Sequence, residues 1–374
     1  MPKILHIADV HLDAPFSLLD LKKAQARKSE LRGTFSSAVM YAKMEKVDLC
    51  LIAGDLFDGG FVTKETMSLL ISQFESAPDV RFIITPGNHD YYSSSSPYAK
   101  TKFPENVYVF TDDTLTRLRF DDINTDVYGY AFTSDKMATN PLATRPGLDP
   151  LHFNILVGHA DLDAGIYCPV TRDDLSKSGF DYAALGHIHL GGDVQKAGNT
   201  YYAYSGCLEG RSFDECGIKG GIVADVDFDG LRRKIHFKPV RFCKRHYERL
   251  TVDVTGAENN QDIAEKIRAG ATAAGFGTDT LLRVRLRGNV PVTADLRPER
   301  IEAETVGAFY LEIKDTTAPL IGYETLKNDI TVRGAFFREL LPLLESENED
   351  ERRSASLALR YGLAALAGEN VIDY

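Results

Sequence analysis

Tryptophan is absent, and the five cysteines, Cys50, Cys168, Cys207, Cys216 and Cys243, are dispersed with no C-x-x-C pair among them. An odd, scattered set argues against both a disulfide framework and a thiolate-ligated zinc. No stretch of the chain approaches the ~20 consecutive apolar residues that a membrane-spanning helix requires. The opening residues, MPKILHIADV, run straight into polar side chains where a signal peptide would carry its apolar stretch. A cytoplasmic protein without a membrane anchor is therefore expected. Positive charge is also scarce: 43 Lys and Arg face 54 Asp and Glu, a formal net charge of -11. Overall basicity is thus not what would bring this chain to a polyanion. No internal repeat recurs at a fixed spacing, which sets solenoids and propellers aside.

What is present is globular. Of the 374 residues 44% are hydrophobic and 26% charged, enough for an ordinary core, and the length suggests two domains with a further appendage. Up to about Val240, short apolar runs end in polar, glycine-containing punctuation: KILHIAD, DLCLIAGD, VRFIITPGNHD, FNILVGHAD and DYAALGHIH. Runs such as Leu49 to Ala53 and Arg81 to Thr85 read as strands buried on both faces, since a half-exposed strand would alternate. Helical character over Leu21 to Met44 and Lys64 to Ser76 completes a strand, helix, strand rhythm. Consecutive strands then follow, with a turn at Phe228-Asp229-Gly230. The expected fold is α/β, a four-layer αββα sandwich over residues 1–240. A smaller α+β capping or DNA-binding domain (241–330) and two C-terminal helices (331–374) are expected after it. The last helix carries Leu357, Leu359, Tyr361, Leu363 and Leu366 around much of its circumference. Burial on more than one side, or docking of a partner, would satisfy them.

Ligands of α/β sheets gather beyond the carboxyl ends of the strands. Here those ends carry Asp9-x-His11, Gly54-Asp55-x-x-Asp58, Gly87-Asn88-His89-Asp90, Gly158-His159 and Gly186-His187-x-His189. Taken singly, Asp9-x-His11 is a weak signal and Gly54-Asp55 a common turn. Their joint, ordered appearance at successive strand ends is what points to a site. Residues two apart at a strand end point to the same side, so Asp9 and His11 could reach one ion. Two cations roughly 3.5 to 4 Å apart repel unless an anion bridges them, and Asp55 is the natural bridge. One predicted site is Asp9, His11, Asp55 and His189; the other is Asp55, Asn88, His159 and His187. Oxygen and imidazole donors without thiolate suit Mn(II), Fe or Zn better than Mg(II) or Ca(II), and the exact metal stays open among those three. His6, His152, His236 and His246 lack this context and read as packing or surface residues.

The ordered set DxH, GDxxD, GNHD, GH and GHxH, over roughly residues 3–226, resembles the calcineurin-like metallophosphoesterases. LHIADVHLDAPF, GDLFDGG and SGCLEGRSFDECGIKGG make the chain similar to their DNA-repair exonuclease branch, of SbcD and YhaO type. Asp58-Gly59-Gly60 stands where protein Ser/Thr phosphatases of that superfamily carry Asp-Arg-Gly. The resemblance implies an αββα sandwich, a homodimer, DNA as substrate and an SMC-like ATPase partner. On this reading the chain is a two-metal DNA exonuclease. His89 would protonate the leaving group and Asp90 would orient His89 by a hydrogen bond. Arg211 and Lys219, following the last metal motif, are candidate DNA contacts. The basic segment Leu231 to Arg249 is a second candidate, or a solvated strand face. The competing expectations are a phosphoesterase for a small phosphodiester such as a cyclic nucleotide, and a DNA-end scaffold whose metals are structural.

Overall fold

The computed structural model describes residues 2–144, 147–162, 167–228, 233–291, 296–305, 307–320 and 322–366. The chain opens with β1 (Lys3–Ile7), α1 (Leu21–Met44), β2 (Leu49–Ala53), α2 (Lys64–Ser76) and β3 (Arg81–Thr85). The last four have the bounds that the apolar runs predict. Side-chain caps fix the helix starts, with Asp20 accepting from Lys23 N–H for α1 and Thr63 from Thr66 N–H for α2. Next come α3 (Pro97–Lys100), β4 (Val107–Val109), β5 (Thr116–Phe120), β6 (Thr125–Gly129) and β7 (Phe153–His159). The series ends with α4 (Arg172–Ser178), β8 (Tyr182–Gly186), β9 (Gln195–Ala197), β10 (Thr200–Tyr204), β11 (Gly220–Phe228) and β12 (Arg233–Arg241).

These strands form two sheets of six, in the orders β12-β11-β1-β2-β3-β4 and β5-β6-β7-β8-β10-β9. β1 to β4 are parallel to one another, as are β6, β7, β8 and β10. Parallel strands buried on both faces explain the unbroken apolar runs. Between the sheets lie Ile4, Leu49, Leu51, Ile83, Phe153, Ile155 and Tyr182. The alternate residues of the second sheet, Leu156, Ala183 and Leu185, face outward onto Leu175 of α4 and Phe180. Phe35 of α1 meets Phe74 of α2 edge-on at 6.0 Å, and Phe74 meets Phe82 of β3 at a tilt at 4.6 Å, on the outer side of the first sheet. The result is the αββα arrangement.

His6 crosses between the sheets. Its Nε2 lies 3.2 Å from the Leu185 carbonyl, which can only accept, so Nε2 carries the proton and Nδ1 accepts from the Tyr182 hydroxyl at 2.8 Å. Burial drives His6 down to about 3 from its ordinary 6.5. Below pH 6.5 the unfolded chain takes up a proton that the folded chain refuses, so this group withdraws stability as pH falls from 6.5 toward 3. The slope is about 1.4 kcal/mol per pH unit at most. His6→Gln, which keeps the donor to Leu185, should flatten the urea-derived stability profile between pH 6 and 4 by roughly that slope; parallel profiles would contradict it.

The chain divides into two compact units, Met1–His246 and Tyr247–Tyr374. The break falls after residue 240 because β12 continues its ladder with β11 to Arg241. The second unit begins one residue into β13 (His246–Asp253) and holds α5 (Asn260–Ala273), β14 (Thr280–Arg287), β15 (Asn289–Pro291), α6 (Pro298–Glu304), β16 (Tyr310–Asp315) and β17 (Ala318–Leu320). It ends with α7 (Tyr323–Lys327), α8 (Val332–Leu344) and α9 (Glu349–Leu366). Its sheet runs β13-β14-β16, with β15-β17 as a separate parallel pair. Arg360 of α9 bonds Asp315 at 2.6 Å and the Thr317 carbonyl, tying the C-terminal helices to the α+β part. One face of α9 packs through Leu359 and Leu363, whereas Leu357, Tyr361 and Leu366 are exposed. The predicted turn residues Asp229 and Gly230, with Leu231 and Arg232 of the basic segment, lie outside the described residues. Among the described residues, no helix is long and apolar enough to cross a membrane.

Candidate metal centre

All the predicted ligands fall just beyond, or at, the carboxyl ends of β1, β2, β3, β7 and β8. The way they turn inward differs from the expectation. Strand β1 stops at Ile7, and Asp9 (φ 48°), His11 (φ 49°), Asp55 (φ 50°) and His187 (φ 100°) all adopt left-handed backbone. It is not the strand pleat but these tight turns that bring Asp9 and His11 to one side. Such conformations cost non-glycine residues of order 1 to 3 kcal/mol each and persist where the surroundings over-determine them. Those surroundings include the Asp9 N–H bonded to the Gly54 carbonyl at 3.1 Å and the His11 N–H bonded to the Asp55 carbonyl at 2.9 Å.

Glycine is required where the two sheets meet. A Cβ on Gly186 would lie 1.7 Å from the Ala53 carbonyl oxygen, and one on Gly54 would lie 2.1 Å from the His159 ring. Gly186→Ala should therefore lower stability by about 1 to 3 kcal/mol in urea melts, the usual cost of overpacking. It should also weaken metal uptake, because the Ala53 and Gly186 strand ends carry the ligands. Wild-type metal uptake in that variant would contradict this.

Donor atoms of Asp9, His11, Asp55 and His189 all lie within 4.8 Å of one another. Nε2 of His11 is 3.2 Å from Nε2 of His189 and 3.7 Å from Oδ2 of Asp55. On the other side, Nε2 of His159 is 2.9 Å from Oδ1 of Asn88 and 3.4 Å from the same Asp55 Oδ2. The His187 ring stands 5.1 Å from that of His159, and its backbone N–H reaches both Asp9 oxygens at 3.1 Å. Asp55 thus lies between the two histidine sets.

Proton positions indicate what belongs among these atoms. Nδ1 of His159 faces the Ala53 carbonyl at 3.1 Å and must donate, leaving a bare lone pair on Nε2. Nδ1 of His189 donates to Glu215 at 2.7 Å, leaving its Nε2 bare as well. The 3.1 Å approach of Arg211 Nη2 to that Nδ1 cannot be a second hydrogen bond while the nitrogen carries its proton. Lone pairs of imidazole, carboxylate and amide thus converge. Donors sharing one ion at about 2.1 Å from it are separated by roughly 3 to 4 Å, so the residues fit divalent cations.

Burial holds His11 well below 6.5, His159 at about 3 and His187 at about 4, so all three are neutral and free to coordinate. Burial also raises Asp9 and Asp55, and in Asp9 the Asp55 charge adds to it. Buried carboxylates side by side are costly unless paired or metal-bound.

His89 is exposed, its ring 4.9 Å from that of His11 and perpendicular to it, and its backbone N–H donates to Asp55 Oδ1 at 3.0 Å. Asp90 departs from its predicted role. Its buried carboxylate accepts from Phe57 N–H (3.0 Å), Gly87 N–H (2.7 Å) and Tyr98 Oη–H (2.5 Å), so it ties the two ligand loops together and does not orient His89. Burial, with the Asp55 charge, pushes Asp90 up to about 7.

The predicted DNA contacts are also placed differently. Lys219 is buried, with Nζ 3.4 Å from the His189 carbonyl, out of reach of a phosphate backbone. Arg211 bonds Asp58 at 2.7 Å and Glu215 at 3.2 Å beside the metal ligands. Of the basic segment, Arg233 is tied to Asp181 and Arg245 to Glu30. Two residues at the centre had no predicted role. Asp58 lies 3.0 Å from His11 Nδ1, a nitrogen that makes no hydrogen bond in line with its N–H, and Glu215 backs His189. Both were visible as acids, one inside the GDxxD motif and one in SFDECG.

Residues 2–191 match the family described as calcineurin-like phosphoesterase. An uncharacterized metallophosphoesterase of Bacillus subtilis, YhaO, is 30% identical over 306 residues, covering 77% of this chain and 72% of that one. SbcD, a component of the SbcCD nuclease of Staphylococcus epidermidis, is 25% identical over 64% of this chain and 70% of its own. The DNA double-strand break repair protein Mre11 of Aeropyrum pernix is 26% identical over 68% of this chain and 64% of its own.

Proposed function

Because this chain belongs to the calcineurin-like phosphoesterase family, a family of metal-dependent hydrolases, we propose that it is a DNA exonuclease hydrolysing phosphodiester bonds at DNA ends. The observation that carries the proposal is Asp55, whose Oδ2 lies within 3.7 Å of His11 and 3.4 Å of His159, between two sets of converging lone pairs. Asp9, His11, Asp55 and His189 would hold one cation, and Asp55, Asn88, His159 and His187 the other. Two divalent cations there, most readily Mn(II), would neutralise phosphate oxygens and bring the pKa of a water from about 15.7 toward ~7. The chain supplies the remaining elements. Imidazoles oriented by Ala53 and Glu215 direct their Nε2 atoms inward, and Asp90 locks the loop bearing Asn88 and His89 to the loop bearing Asp55. His89, exposed at the edge of the set, donates its proton to the departing alkoxide.

The descriptions of two relatives, one as part of a nuclease and one as a DNA double-strand break repair protein, support DNA as the substrate. The resemblance carries with it, as part of the same proposal, an SMC-like ATPase partner, a homodimer and a cytoplasmic setting. A net charge of -11 does not oppose this, since phosphate binding requires a local positive path, which two dications supply in part. The test is digestion of end-labelled linear duplex, circular single-stranded DNA, a small cyclic phosphodiester and a chromogenic phosphomonoester in Mn(II), side by side with a His89 variant. Shortening of the linear duplex, lost in the variant, is expected. Cleavage of the monoester alone would remove the nuclease reading, and cleavage of small diesters with intact DNA would replace it with the cyclic-nucleotide one.

A further inference from the structure

The two halves of the proposed cation pair are backed by different chemistry. Behind His189, Glu215 Oε1 accepts from Nδ1 at 2.7 Å; behind His11, Asp58 Oδ1 lies 3.0 Å from Nδ1. One guanidinium joins these two carboxylates. Arg211 Nη1 donates to Asp58 at 2.7 Å, Nη2 donates to Glu215 at 3.2 Å, and the Arg211 backbone N–H donates to the other Glu215 oxygen at 2.6 Å. Glu215 thus accepts one hydrogen bond from His189 and two from Arg211. The loop that carries Arg211 and Glu215 is anchored in turn. Glu209 accepts from the buried Arg27 of α1 at 2.5 Å and from the Thr34 hydroxyl at 2.7 Å. On the other half, His159 rests on a neutral group, the Ala53 carbonyl.

A carboxylate behind a ligating imidazole fixes its tautomer and makes it a stronger donor, whereas a neutral carbonyl fixes orientation with less added charge. We infer that Arg211 and Glu215 are positioning residues that make the Asp9, His11, Asp55 and His189 half the tighter of two unequal cation sites. This rests on the two-cation reading above and assigns Arg211 a task other than contact with DNA.

Isothermal titration of Mn(II) into the metal-free full chain tests it, with wild type, Glu215→Gln and Arg211→Lys compared. Wild type should bind in a tight and a weak class. Glu215→Gln should weaken the tight class by roughly 10- to 100-fold, the usual loss when the group behind a ligand is removed. The weak class should stay unchanged and so report that the variant is folded. Arg211→Lys should move the tight class in the same direction, because an ammonium cannot bridge two carboxylates as a planar fork does. The salt dependence of metal-free DNA binding should not change. Equal weakening of both classes, or a change in the weak class alone, would overturn the assignment. So would unaltered metal affinity in Arg211→Lys with a shallower salt dependence, which would return Arg211 to the DNA. A wild type that binds no Mn(II) fails differently, since it removes the cation centre itself.

Discussion

Asp55→Asn should abolish metal uptake and hydrolysis together while leaving the metal-free chain at least as stable as wild type. The two halves of the prediction come from one fact, the burial of Asp55 beside Asp9. In the absence of cations both carboxyls are driven upward by burial, and Asp9 is raised further by the Asp55 charge, so removing that charge relieves Asp9. Asparagine keeps an oxygen to accept the His89 N–H now received by Oδ1. With cations the balance reverses. Oδ2 lies near both His11 and His159, so its loss weakens both halves at once. Removal of a residue that only supports a ligand costs roughly 10- to 100-fold in metal affinity, and a shared ligand should cost more than that at each site. Elemental analysis after dialysis against Mn(II), with urea melts of the metal-free proteins, checks both halves. A variant that keeps two Mn(II) per chain, or melts well below wild type without metal, would contradict the bridging arrangement.

The contrast between what the sequence discloses and what it withholds is physical. Leu49 to Ala53 and Arg81 to Thr85 are read to the residue because a strand covered on both faces must be apolar throughout, and its end is marked where polarity returns. The same reasoning points to the ligand-bearing turns, since aspartate and histidine immediately after a buried strand have no packing role. It does not disclose how the turns close. The left-handed backbone at Asp9 and His11 leaves no periodic trace, and the pleat argument reaches the correct convergence by an incorrect route. Asp90 is misjudged for a related reason. Adjacency to His89 suggests a dyad, but successive side chains in a tight loop point apart, and Asp90 turns inward to Phe57, Gly87 and Tyr98. Lys219 and Arg211 show the limit of charge as a signal, because a cation after a metal motif reads as a phosphate contact until its partners are known. Those partners are Asp58, Glu215 and a carbonyl, distant in sequence or hidden among many acids.

His89→Ala should give the second large loss, roughly 100- to 10,000-fold in turnover on DNA, with metal content unchanged. Metal retention follows from the geometry. The hydrogen bond of His89 to the ligand set is donated by its backbone N–H to Asp55, which alanine preserves, while its ring is exposed and borders His11 edge-on. Loss of turnover follows from the leaving group, since the alkoxide expelled from DNA is strongly basic and departs slowly without a proton. This distinguishes a proton donor from a residue that merely shapes the site. A phosphodiester with a p-nitrophenolate leaving group needs no protonation, so His89→Ala should be nearly as active as wild type on that substrate while remaining crippled on linear duplex. An equal deficit on both substrates would assign His89 to binding or to charge on the phosphoryl oxygens. Asp90→Asn should behave in the opposite way. By loosening the link between the Gly87 and Phe57 loops it should reduce metal affinity and lower turnover on both substrates alike. The two neighbours in one motif are thus separable by leaving-group dependence, one acting on the departing oxygen and the other on the scaffold that holds the cations.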